Sequence, residues 1–132
     1  MFNKITFLSL FMLFGCIGFS QTTDCTQFKN GKFKVTDPAS KQVCYITRDG
    51  NTQTERMEDS DEEYNFDIVW IDDCTYTVTP TASALQLNKE LDKTGTMTVK
   101  ITKTKENSYI QRVTVANNPK FRRMDEVFVV KE

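Results

Sequence analysis

From Gln21 onward, apolar and polar residues alternate with a period of two. That spacing turns one face of a β-strand inward and the other toward water. The clearest run covers residues 64–79. Phe66, Ile68, Trp70, Cys74, Tyr76 and Val78 share one parity, while Asp67, Asp73, Thr75, Thr77 and Thr79 share the other, joined by Val69 and Ile71. Asp72-Asp73 interrupts the apolar parity, so the run divides at a turn or bulge into strands near 65–71 and 74–79. Lys32-Phe33-Lys34-Val35 alternates in the same way and stops before Pro38, because proline has no N–H to give to a ladder. Strands at 43–48 and 52–58 flank Asp49-Gly50-Asn51, a hairpin signal, since the turn calls for positive φ and glycine adopts it freely. Residues 59–63 read as an acidic loop. Met97, Val99 and Ile101 alternate with polar residues, and Lys105-Glu106-Asn107 reads as a turn. Strands at 109–115 and 126–130 finish the chain, with Asn117-Asn118-Pro119 as the loop between them.

The spacing also predicts one helix over 84–92. Ser83 and Gln86 stand at capping-box spacing, Ala84, Leu87 and Leu91 share a face, and Gly95 lies just beyond the end. Seven or eight short antiparallel strands in one sheet leave reactive edges unless the sheet curls or closes. Every link is short, so the expected fold is mainly β: an up-and-down meander, curled sheet or small lipocalin-like barrel. A sandwich is the second choice.

The first twenty residues follow another pattern. Lys4 precedes an apolar stretch, and Gly18-Phe19-Ser20 places small residues ahead of Gln21, the layout of a secretory signal peptide. The stretch is about fifteen residues, short of the roughly twenty a spanning helix needs. The expected organisation is therefore a signal peptide at 1–20 and a single β domain at 21–132, with no transmembrane helix in the mature chain. Leu13-Phe14-Gly15-Cys16 resembles a bacterial lipobox, which would instead make Cys16 the lipidated first residue. Either way the protein is expected to be exported, to the periplasm, the outer membrane or the exterior.

Charge narrows the field further. Lys4 leaves with the signal, so 17 basic residues become 16 against 18 acidic ones, a net of −2. Nucleic acid requires a concentrated basic face, which this balance argues against. Lys29, Lys32 and Lys34 read as the solvent face of a strand. Cys25, Cys44 and Cys74 remain after export, enough for one disulfide and one free thiol. Cys25 and Cys74 sit at element ends and favour a bridge closing a loop of about fifty residues, worth about 4 kcal/mol in the chain-entropy model. Cys25–Cys44 and no bridge are the alternatives. Cys44 lies inside an apolar strand and reads as a small buried hydrophobe.

The chain contains no histidine. Its absence excludes Ser-His-Asp and Cys-His machinery, and three scattered cysteines lack zinc spacing, so no cofactor or metal is expected. The acidic run at 58–63 lacks calcium-loop spacing and reads as a solvated hairpin tip. Asp72 and Asp73 as an acid/base pair is the weakest of the readings; a turn whose carboxylates accept backbone N–H groups explains them. Phe28, Phe33, Tyr45, Phe66, Trp70, Tyr76, Tyr109, Phe121 and Phe128 form a large aromatic set. By default they fill the interior; a wider barrel would let some line an apolar pocket.

Two motifs carry a resemblance. Cys25-Thr26-Gln27-Phe28-Lys29-Asn30-Gly31-Lys32-Phe33 has the form Cys-x-x-Phe-Lys-x-Gly-x-Phe, and Ile68 to Tyr76 has the form Ile-x-Trp-x-x-x-Cys-x-Tyr. Together they resemble a family of small exported proteins of flavobacteria and their relatives, some of which carry a DNA topoisomerase IV label. The resemblance spans about residues 25–80. It implies an envelope or secreted location and pairing of Cys25 with Cys74. The topoisomerase label gains nothing from a small, slightly acidic chain. Gly31-Lys32-Phe33 is also similar to the Gly-x-Trp opening of lipocalins, with Phe in place of Trp.

The functional expectation is a non-enzymatic envelope or secreted protein that binds a small apolar ligand or an envelope component, with Trp70, Phe66 and Tyr76 as candidate contacts. The alternative is a structural or protein–protein interaction module with a filled core.

Overall fold

The computed structural model describes residues 24–131; the signal-peptide and Cys16 readings lie outside the described residues. Eight antiparallel strands close into an up-and-down barrel in which each strand pairs with its sequence neighbours and β8 returns to β1. They are β1 (Gly31–Thr36), β2 (Val43–Asp49), β3 (Thr52–Met57), β4 (Glu63–Asp72), β5 (Thr75–Pro80), β6 (Met97–Thr104), β7 (Ser108–Val115) and β8 (Asn118–Val129). Closure is made by Phe33 opposite Val129, Lys34 opposite Phe128 and Val35 opposite Val127.

The period-two parity holds through the ladder. Phe66, Ile68, Tyr76 and Val78 are buried, whereas Val69 and Ile71 are each 61% exposed on the outer face. The register slips between Trp70 and Asp72, where the parity breaks, and Asp72 Oδ1 accepts the Cys74 N–H at 2.9 Å. Asp72 and Asp73 thus form a solvated turn, and that backbone N–H holds the Asp72 carboxyl below its ordinary range. Gly50 takes φ 60° in the two-residue β2–β3 turn, as the Asp-Gly signal requires.

Three expectations need correction. The predicted helix is two short pieces, α1 (Ala82–Leu87) and a 3-10 helix at Lys89–Lys93. Asn88, extended at φ −147°, ends the first, and its side chain caps the second by accepting from Glu90 N. The first cap is Thr81, which accepts from Ala84 N, not Ser83. Second, β8 begins at Asn118, so the predicted 117–119 loop is a tight turn. Pro119 is tolerated because the chain bulges off the ladder between the Val115–Asn118 and Val113–Arg123 pairs. Third, Trp70 and Cys44 are half-buried at the rim of the core rather than within it.

Candidate functional site

The two ends of the barrel differ. One is sealed by the N-terminal segment. The 3-10 helix Thr26–Phe28 crosses beneath it and buries Phe28 completely, with ring centroids 4.9 Å from Tyr109 and 6.5 Å from Phe33. A disulfide joins Cys25 to Cys74 in the β4–β5 turn, as expected, and Asn30 Oδ1 accepts the Gly50 N–H at 2.9 Å. Trp70 belongs to this end: its ring stacks 4.6 Å from Tyr76, with Lys29 Nζ 5.0 Å above it.

Arg48 lies at the centre of the seal, 2% exposed. Its guanidinium donates to Gln53 Oε1 (2.8 Å), the Phe28 carbonyl (2.9 Å) and the hydroxyls of Tyr76 and Tyr109 (both 2.6 Å). It also stacks on Phe33, Tyr76 and Tyr109, 4.7–5.6 Å from the ring centres. Burial alone would lower its pKa, but the phenol oxygens and Glu55 outweigh that and hold it above its ordinary value. Guanidinium geometry suits the position: its donors lie in one plane and its flat faces remain free to stack.

Above this floor the barrel is hollow. A cavity of about 380 Å³ runs from Tyr76 to a mouth framed by Asp37, Gln42, Thr94 and Phe121. Its walls are mainly Val35, Ile46, Val78, Val99 and Val113, the inward parity of five strands. The default expectation of a filled interior fails here because Phe28, Phe33, Tyr76 and Tyr109 gather at the sealed end while Phe121 and Phe128 are exposed, leaving mostly valine and isoleucine above. A second pocket of about 250 Å³ adjoins it under Leu91 and Asn88, sharing Cys44, Glu55 and Met57.

The cavity is not wholly apolar. Gln53 Nε2 donates to Glu55 Oε1 at 2.9 Å. Asp125 accepts from Arg123 Nε at 2.8 Å and from Gln111 Nε2 at 3.5 Å, and Arg123 also reaches Asp37 at 3.5 Å. Protein encloses the Glu55 carboxyl apart from its cavity side, and this burial raises its pKa despite the Gln53 amide. Cys44, the free cysteine among the described residues, faces the cavity with its thiol pushed up to about 12 by burial and by Glu55, so it stays protonated and behaves as an apolar wall.

Of the residues singled out from sequence, Tyr76 lines the main cavity, Phe66 lines the adjoining pocket, and Trp70 lines neither. The polar residues Arg48, Gln53, Glu55, Gln111 and Asp125 went unnoticed. A signal for them exists: each falls on the inward parity of its strand, as Arg48 does after Cys44 and Ile46, and a charged side chain there marks a buried polar site. Among the described residues, no group of three or more acidic or cysteine side chains could hold a metal ion, and no helix is long and apolar enough to cross a membrane. Comparison with family models, with curated proteins and with solved structures finds no match to this chain.

Proposed function

We propose that this protein is a non-enzymatic exported carrier that holds a small, largely apolar molecule inside its barrel. The observation that carries the reading is the open-ended cavity above the Arg48 floor. Its 380 Å³ falls in the range of about 300–1,000 Å³ typical of ligand pockets. A domain of this size gains stability by filling its core, and leaving such space open forgoes that gain. The large apolar fraction of the wall favours a greasy ligand, and the few polar groups set its orientation. Among the described residues, no nucleophile–base pair faces the cavity: the thiol on its wall, Cys44, is held protonated.

The test is a titration of the disulfide-intact protein with a polarity-sensitive apolar fluorophore, alongside Val99→Trp. Val99 is buried on the wall, and an indole there occupies the cavity. Saturable binding by the wild type, lost in a folded V99W, supports the reading. Equal binding by both proteins, or none by either, overturns it.

A further inference from the structure

The hydrogen bonds inside the barrel have a direction. Guanidinium nitrogens only donate, so Arg48 imposes a donor-to-acceptor sense on everything it touches. Arg48 Nε donates to Gln53 Oε1, which commits the Gln53 amide nitrogen upward, where it donates to Glu55 Oε1. A second chain runs from Arg48 to the Tyr76 hydroxyl, on to Gln111 Oε1 at 3.4 Å, and from Gln111 Nε2 to Asp125. Both chains end on carboxylates. Each chain therefore ends on an acceptor that faces the cavity.

The two carboxylates are not equivalent. Asp125 has a cationic partner in Arg123, which also serves Asp37. Glu55 is contacted by the uncharged Gln53 amide, while Arg48 and Arg123 act on its charge without a direct hydrogen bond. In all, the lining carries three carboxylates (Asp37, Glu55, Asp125) against one guanidinium. A charge surrounded by protein is costly unless an opposite charge answers it. Glu55 projects from β3 opposite Ile46, into the apolar part of the cavity and between its two lobes.

Resting on the carrier reading above, we propose that the cavity selects an apolar molecule bearing a protonated amine, received by the carboxylate of Glu55 while the hydrocarbon lies along Ile46, Val78 and Val99. An ammonium group supplies the direct cationic contact that Glu55 lacks. A neutral alcohol satisfies an acceptor but no charge, and a carboxylate ligand meets repulsion from Glu55 and Asp125.

Octylamine, octan-1-ol and octanoate, titrated separately into the disulfide-intact protein at neutral pH, test this with matched chains. The amine should bind about tenfold or more tightly than the alcohol, as a charge-assisted hydrogen bond allows, and octanoate should bind weakest. Glu55→Gln should bring the amine down to the alcohol's affinity and leave the alcohol unchanged. An alcohol or octanoate that binds as tightly as the amine overturns the proposal, as does an amine preference that survives in E55Q. Alcohol binding without amine preference removes the amine proposal and keeps the carrier reading; failure of all three ligands to bind removes both. Should E55Q not fold, the wild-type ranking decides alone.

Discussion

Replacing Arg48 with methionine should be strongly destabilising, since Arg48 is the buried hub of the sealed end. Methionine matches much of the side-chain length and none of the chemistry. Four hydrogen bonds vanish, to Gln53, Phe28, Tyr76 and Tyr109. Tyr76 keeps Gln111 as a partner, but the Tyr109 hydroxyl and the Phe28 carbonyl lose the partner that Arg48 supplied deep in the seal. Each buried polar group so stranded costs about 1–3 kcal/mol. Loss of stacking on three rings adds roughly 1 kcal/mol, and the thioether returns part of that by filling space. The net expectation is a loss of about 3–5 kcal/mol, the range seen when a buried charged network is broken. A domain of this size has about 5–15 kcal/mol in total, so R48M should stand near the edge of folding. Equilibrium urea unfolding of the oxidised protein, followed by far-UV circular dichroism, measures it. The midpoint should fall sharply while the slope stays unchanged, since the surface exposed on unfolding is the same. Arg48→Lys should recover little, because an ammonium cannot span four acceptors in a plane. A loss below about 1 kcal/mol for R48M would refute the view that Arg48 organises the sealed end.

Three further outcomes follow from the same geometry. Replacing Cys25 and Cys74 together with serine opens a loop of sequence separation 49 and should cost about 4 kcal/mol by the chain-entropy model; an unchanged urea midpoint would contradict it. Glu55 has its pKa raised above the ordinary 4.5 by burial, so the native state binds this proton more tightly than the unfolded chain and loses stability as pH rises through that window. E55Q should therefore be more stable than the wild type at neutral pH, with the gap closing as pH falls toward 4.5; thermal melts in which the gap widens toward acid would contradict this. The Cys44 thiol, pushed up to about 12, should react with iodoacetamide far more slowly in the native protein than in urea; equal rates would place it in water.

How much of this was legible in the chain depends on the kind of interaction. Strand parity is local, and Phe66, Ile68, Tyr76 and Val78 point inward as their spacing requires, because burial on one face is all that the signal encodes. Closure also followed from short links and many edges. The helix was misplaced because Thr81 and Asn88 offer caps as good as Ser83, and tertiary packing of Ala84 against the barrel decides among them. The extent of β8 was missed because Pro119 and Asn118 are turn residues in isolation, and only a bulge opposite β7 makes them strand. Trp70 looked like core on size, yet it follows the crossing of Lys29 at the sealed end, a contact between segments 41 residues apart in sequence. The cavity itself depends on where eight strands place their small side chains relative to their large ones, a three-dimensional sum that no single stretch contains. Arg48 and Glu55 were readable in principle as charges on an inward parity, but their pairing through Gln53 required the register of β2 against β3.

The central claim is that the barrel interior receives a guest. Methyl-resolved NMR of the oxidised protein, titrated with octylamine, tests it most directly. The account predicts intermolecular contacts and saturable shifts at the methyls of Val78, Val99 and Val113 inside the barrel. Shifts confined to Val69 and Ile71 on the outer face, with the interior methyls unmoved, would contradict it.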